Sequence, residues 1–279
     1  MQSWDLDRKI QVTTARIMEW YEHYNGLVYV AFSGGKDSTV LLDLVRRIYP
    51  DVPAVFCDTG LEFPEIRQFA MSVNNVVVLR PEMNFKKVIE TYGYPIVSKR
   101  VADTVEYGHK PGSFRWKELH GEIIRSNGTK SEFNCEKWCY LLDAPFKVSS
   151  RCCNIMKKKP MKKYSKETGR VPIIATMADE SRSRRSVWMS TGCNAFQKKS
   201  PSSQPMSFWT ENDVLEYIHT YNIPYASVYG DIVPCGGGGQ RQAKKEPDVC
   251  FAPLALIWRS LQTVSSGSNS LIQSYGSIA

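Results

Sequence analysis

The stretch Tyr29-Val30-Ala31-Phe32-Ser33-Gly34-Gly35-Lys36-Asp37-Ser38 decides the fold. β-prone apolar residues run into two glycines, and residues 39–48 then carry a helical apolar pattern stopped by Pro50. Strand, tight loop and helix in that order make a phosphate cradle. A helix N-terminus offers backbone N–H groups and the positive end of the helix dipole. Gly34 and Gly35 let the backbone turn sharply and approach a ligand, because they lack a Cβ. Lys36 is read as a mobile positive charge, and Ser33 and Ser38 as hydroxyl donors. Lys36 is followed by Asp37, so the loop is not the Gly-x-x-x-x-Gly-Lys-Ser/Thr pattern of P-loop NTPases, nor is it Gly-x-Gly-x-x-Gly. An ordinary strand-to-helix turn would not call for Lys-Asp-Ser.

Outward from this loop the strand–helix alternation continues. Residues 5–24 place Leu6, Ile10, Ile17, Trp20 and Tyr21 at helical spacing. Residues 53–57 read as a buried strand ended by Asp58-Thr59-Gly60, and Pro64 opens a helix at an early position where its missing N–H costs nothing. Residues 76–79 read as a strand, 84–91 as a helix, 171–177 as a strand and 211–220 as a helix. The expected fold is α/β: a doubly wound, Rossmann-like parallel sheet of about five strands with helices on both faces. Residues 100–135 show no clear period and read as a mobile insertion. Residues 136–170 read as helical and very basic, giving one domain over 1–233 with an insertion at about 100–170. From Pro234 the chain turns Gly- and then Ser-rich, which reads as an irregular tail.

The 279 residues suffice for a large core, and 42% are hydrophobic. The formal charge of +8 fits either a solvated basic surface or a polyanionic partner, and charge alone leaves both open. Eight cysteines are present: Cys57, Cys135, Cys139, Cys152, Cys153, Cys193, Cys235 and Cys250. No secretory pattern opens the sequence and no apolar run approaches the roughly 18 residues of a membrane span. A cytoplasmic chain with no membrane association is therefore expected, with grouped thiols serving metals or redox chemistry rather than disulfides. Cys135 and Cys139 lie at i and i+4, one helical face, but two residues are too few for a site. The four histidines, His23, His109, His120 and His219, are scattered and suggest no zinc site.

Four motifs carry a family resemblance. Ser33-Gly34-Gly35-Lys36-Asp37-Ser38 resembles the PP-loop of the adenine nucleotide α-hydrolase-like superfamily. Cys57-Asp58-Thr59-Gly60-Leu61-Glu62-Phe63-Pro64-Glu65 resembles the Asp-Thr-Gly-x-x-Phe-Pro-Glu stretch of the PAPS reductase (sulfonucleotide reductase) family. Glu180-Ser181-x-x-Arg184 is similar to that family's Glu-Ser-x-x-Arg, and Pro205-Met206-x-x-Trp209-x-x-x-Asp213-Val214 with Pro224-Tyr225 and Tyr229 to its later segment. The chain is identified as a prophage-type member over residues 1–233. The resemblance implies binding of ATP or an adenylyl sulfate (APS or PAPS), with Mg2+ as a candidate companion. The site residues it implies are Ser33, Gly34, Gly35, Lys36, Asp37, Ser38, Asp58, Thr59, Gly60, Glu180, Ser181 and Arg184. Trp209 and Asp213 read as structural. Where relatives often carry Gly-x-Arg, this chain has Ala175-Thr176-Met177, so the arginine associated with a 3′-phosphate is missing.

The same resemblance reaches the cysteines. Cys152-Cys153 with Lys157 and Pro160 resembles the element that, with a later Cys-x-x-Cys, holds a [4Fe-4S] cluster in APS reductases, and Cys193 is a third candidate ligand. The later Cys-x-x-Cys is absent, and so is the Glu-Cys-Gly-x-His tail that supplies the reductases' nucleophile, so no catalytic residue is assigned. The codons for residues 247–255, read one nucleotide earlier, permit Thr-Gly-Cys-Met-Phe-Cys-Ala-Phe-Gly, the segment relatives carry there. The expectation is a reading frame lost between about Val233 and Gln242, leaving the cluster incomplete. Three functions follow: a sulfonucleotide reductase-like enzyme of sulfur metabolism served by a thiol reductant protein, an ATP pyrophosphatase that thiolates tRNA or DNA, or a non-catalytic nucleotide-binding remnant.

Overall fold

The structure is a computed structural model describing residues 1–235 and 239–242. Its helices are α1 (Leu6–His23), α2 (Lys36–Arg46), α3 (Pro64–Ser72), α4 (Phe85–Tyr92), α5 (Lys99–Tyr107), α6 (Phe114–Leu119), α7 (Lys159–Thr168), α8 (Arg182–Thr191) and α9 (Glu211–Tyr221). Its strands are β1 (Val28–Phe32), β2 (Ala54–Cys57), β3 (Val76–Leu79), β4 (Val171–Ile174), β5 (Asn194–Ala195), β6 (Ser202–Ser203), β7 (Ile232–Cys235) and β8 (Gly239–Gln242). The described chain divides into two compact units, one holding Met1–Asp58, Glu62–Pro81 and the described residues from Lys159 on, the other Thr59–Leu61 and Glu82–Lys158.

The first unit is built on a six-stranded sheet in the order β3-β2-β1-β4-β6-β5. β1, β2, β3, β4 and β6 run parallel, with Val30 opposite both Ala54 and Ile173, and β5 returns antiparallel. This is the expected doubly wound α/β sheet, with one strand more than about five because β5 and β6 are only two residues each. β1 and β2 are nearly continuous apolar runs because both faces are covered. One face packs on α1, α2 and α9 through Ile17, Trp20, Leu41, Phe208, Trp209 and Tyr217. On the other, Tyr164 of α7 meets Tyr29 and Val55.

A buried polar network joins α1 to α9. Lys9, 1% exposed, donates to Asp213 Oδ2 at 2.6 Å. Asp213 also accepts from the Thr210 N–H and hydroxyl, closing a capping box at the start of α9. Trp209 Nε1 donates to Thr13 Oγ1 at 2.8 Å. Removing either member of such a buried pair costs on the order of 3–5 kcal/mol, because a desolvated charge stays behind. Trp209 and Asp213 thus have structural roles.

The second unit corrects the reading of residues 100–135 as an aperiodic insertion. α5 and α6 lie there, each started by a serine: Ser98 accepts from Val101 N–H and Ser113 from Trp116 N–H. Val101, Ala102, Val105, Leu119, Leu141 and Val148 form a small core. Glu118, 2% exposed, is held between Arg100 and Arg115. Residues 136–170 are less helical than expected: Glu136–Asp143 is a 3-10 helix, Asn154–Lys158 a π-helical turn, and only α7 is α-helical. Cys135 precedes the 3-10 helix, so Cys135 and Cys139 do not share an α-helical face. Cys139 Sγ instead lies 3.6 Å from His120 Nε2.

Past residue 231 the expected irregular tail starts as an antiparallel hairpin, β7 with β8. The remainder of the tail, with Cys250 and the segment suspected of a frame change, lies outside the described residues.

Candidate functional site at the sheet's carboxyl edge

In an open parallel sheet, ligands bind beyond the carboxyl ends of the strands where the strand order reverses. Here the order reverses between β1 and β4. The Ser33–Ser38 loop follows β1, the Glu180-Ser181-x-x-Arg184 segment follows β4, and Asp58 follows β2, so the fold brings three of the four motifs to one edge.

The loop is built for close approach. Gly34 has φ +75°, a region L side chains rarely adopt. A Cβ there would also lie 2.8 Å from Ile66 Cγ2 and 2.9 Å from the Ile66 carbonyl oxygen on α3. Gly35 is the N-cap of α2, with extended backbone and no side chain to cap the helix. The first intrahelical bond is Thr39 N–H to the Gly35 carbonyl, at 3.0 Å. The serines brace the loop. Ser33 N–H donates to Ser38 Oγ at 3.2 Å, Gly35 N–H to Ser33 Oγ at 3.3 Å, and Ser38 Oγ to the Gly35 carbonyl at 2.9 Å.

Lys36 differs from its reading as a mobile arm. Its side chain is 2% exposed, with Nζ 3.5 Å from Asp37 Oδ1 and 3.7 Å from Glu211 Oε1. The ammonium is therefore a fixed charge at the base of the loop, anchored in part by α9. Helical phase explains the burial: α2 begins at Lys36 itself, three residues before the helix expected from Thr39.

After β4, which ends at Ile174 rather than residue 177, Glu180 Oε1 accepts from Met177 N–H at 3.0 Å. Ser181 caps α8 by accepting from Arg184 N–H at 3.2 Å, and Arg184 pairs with Glu180. Arg182, Arg184 and Arg185 stand on the first turn of a helix with no fully buried residue. Asp58, 8% exposed, receives Arg67 Nε and Nη2 at 3.0–3.2 Å, with Arg80 Nε at 3.9 Å. The Asp58 carboxylate holds the Arg67 guanidinium charged, pushing its pKa up. Neither arginine was legible as a partner, since the contacts join segments with no common motif. Tyr229 was quoted only as part of a motif, yet its hydroxyl would be 3.2 Å from a Cβ at Gly35.

Thr59 and Gly60 group with the second unit, where Thr59 Oγ1 accepts from Leu61 N–H at 3.3 Å. Cys152 and Cys153 also belong there. The Cys153 pKa is lowered to about 6 by a hydrogen bond from Cys152 and by the charges of Lys99, Lys157 and Lys158. Cys152 keeps the proton, its pKa raised by that bond and by burial. Cys193 is packed into the first unit's core, where burial raises its pKa. A [4Fe-4S] cluster needs four ligands. The described residues contain no group of three His, Cys, Asp or Glu able to hold a metal ion, so they do not fit a complete cluster site. No helix among them is long and apolar enough to cross a membrane.

Known proteins resemble this chain to different extents. An uncharacterized protein of Methanocaldococcus jannaschii is 32% identical over 105 residues, 36% of this chain and 25% of that protein. An adenosine 5′-phosphosulfate reductase of Geobacillus kaustophilus is 26% identical over 212 residues, 75% of this chain and 70% of that enzyme. The crystal structure of phosphoadenylyl-sulfate reductase from Candida auris aligns at 14% identity with a TM-score of 0.44, over 84% of this chain and 95% of that one. The family model for the phosphoadenosine phosphosulfate reductase domain matches residues 27–105 and 125–235, more than half of the chain. On that match, the chain belongs to the phosphoadenosine phosphosulfate reductase domain family.

Proposed function

We propose that this chain is a sulfonucleotide reductase-like enzyme that binds an adenine nucleotide at the Ser33–Ser38 loop and acts in sulfur transfer. The observation that carries the reading is the glycine-capped N-terminus of α2 at the point where the strand order reverses. Gly35 brings no side chain to the helix end, so a phosphate or sulfate can take the place a cap would occupy. In the reaction, a thiolate attacks the sulfur of adenylyl sulfate. A sulfur–sulfur bond forms, the sulfur–oxygen bond to the nucleotide breaks, and the electron pair departs on the phosphate of AMP. Backbone donors and the buried Lys36 ammonium favour the charge gathering there. Arg184, half-exposed and tethered by Glu180, supplies a second cationic contact at the same edge. A thiol reductant protein would release the transferred sulfur.

Calorimetric titration with ATP, APS and PAPS tests this, with Gly35→Asp as the control because Lys36 is too buried for a neutral substitution. Preference for APS, lost in the variant, is expected. Preference for ATP would displace the reductase reading.

A second reading, ATP-dependent thiolation of nucleic acid, is favoured by α7. Lys159, Lys162, Lys163 and Lys166 are exposed at i, i+3, i+4 and i+7, one stripe opposite the buried Tyr164. Such a stripe suits a phosphate backbone. Salt-sensitive RNA or DNA binding, weakened when these lysines become glutamine, would support it.

A further inference from the structure

The second unit carries a cavity of its own, of about 580 Å3, within the range that takes small organic ligands. Its walls come from the end of α4, from α5 and from residues 141–151, all inside that unit.

Two features make this cavity a built pocket. The first is a locked backbone. Gly93 has φ +111°, and a Cβ there would sit 2.4 Å from the Lys147 carbonyl oxygen. Tyr94 N–H donates to that oxygen at 2.8 Å, and Ser149 N–H donates to the Tyr94 carbonyl at 3.0 Å. The second is a carboxylate that is already satisfied. Glu106, whose side chain is 11% exposed, accepts from Ser149 Oγ at 2.9 Å and Ser150 N–H at 3.1 Å, and it pairs with Arg151.

These partners decide the charge of the ligand. Glu106 and Arg151 offset each other, so Glu106 offers little to a cation. Lys147 is exposed and enters no ion pair among the described residues, which leaves the pocket with an uncompensated positive charge. Tyr92 and Phe146 supply rings on its walls, and the Arg151 guanidinium lies 5.7 Å from the Tyr92 ring centre. An aromatic body would stack on those rings, and an acid group would meet Lys147 and the outer edge of Arg151.

We propose that this pocket binds a small aromatic anion, a carboxylate, sulfonate or phosphate carried on a ring. The site is separate in residues from the nucleotide loop and does not depend on that assignment.

The test is titration of the full chain with naphthalene-2-sulfonate at low salt, followed by calorimetry. Saturable one-to-one binding is expected, with a dissociation constant on the order of 100 µM for a ligand of this size. Lys147→Gln, a change at an exposed side chain, should weaken it about tenfold without moving the melting temperature, as loss of one charge-assisted contact would. Phe146→Ala should weaken it comparably, and Gly35→Asp should bind the probe as the parent does. Absence of saturable binding to the parent protein, or a Lys147→Gln variant that binds equally well, would overturn the proposal.

Discussion

Two helix N-termini stand at the same edge of the sheet, and they are finished in opposite ways. α2 follows β1 and is capped by Gly35, which has no side chain to give. α8 follows β4 and is closed by Ser181, with Glu180 clamping Arg184 across the first turn. Glycine at an N-cap gives up only a few tenths of a kcal/mol relative to serine, and a Cβ at Gly35 would lie 3.2 Å from both Ser33 Oγ and the Tyr229 hydroxyl, so the loop leaves this helix end without a side chain at little cost in stability. The buried lysine beneath the loop adds positive charge to that of the dipole, offset in part by Asp37 and Glu211 at 3.5 and 3.7 Å. On the proposed reading the open end is left for the ligand, while the closed end is held in place by its own side chains.

Closing the open end should have the largest effect. Gly35→Asp supplies both a cap and a negative charge, and its backbone is already in a region open to any residue. Nucleotide affinity should fall about a hundredfold, near 2.8 kcal/mol at 1.4 kcal/mol per tenfold. The new Cβ would lie 3.2 Å from Ser33 Oγ and the Tyr229 hydroxyl, so the melting temperature should hold once those two groups shift by a few tenths of an ångström, which circular dichroism would check.

Gly34→Ala attacks the same loop through its shape. The positive φ and the contact with Ile66 should cost on the order of 1–3 kcal/mol of stability. Denaturant unfolding should register that loss, and calorimetry a roughly tenfold weaker nucleotide, about 1.4 kcal/mol. Equal stability would mean that the loop relaxes more easily than its packing implies.

Arg184→Gln probes whether the closed end still touches the ligand. A drop of about fivefold, near 1 kcal/mol, is expected from one lost contact at an exposed group. An unchanged affinity would confine the closed end to a structural role. Ser181→Ala should have the smallest effect on binding: stability falls by about 1 kcal/mol while affinity stays unchanged within error. A large affinity loss there would erase the contrast between the two ends.

Much of this contrast was legible in the sequence. The strand–glycine–helix order at Tyr29–Ser38 and the repeated strand–helix pattern suffice for a parallel sheet, because local periodicity reports burial. Asp213 follows Thr210 by three residues, a spacing that fits the acidic first turn of a helix. The failures share a cause. Lys36 read as mobile because nothing local says that α2 starts at that residue or that Glu211, far along the chain, lies beside it. α8 was missed because its apolar residues, Val187, Trp188 and Met189, are consecutive, which leaves no helical apolar period to find. α5 and α6 escaped because each is short and packs on a core assembled from segments as distant as Val101 and Val148. Arg67 and Arg80 at Asp58 are likewise contacts that only the folded sheet creates.

The central claim is that the glycine-capped end of α2 is the nucleotide site. The most direct measurement is calorimetric titration of APS into the parent protein and Gly35→Asp, with melting temperatures recorded for both. Saturable binding of one nucleotide per chain by the parent, lost in an equally stable variant, is the predicted result. Equal binding by the two proteins would contradict the account.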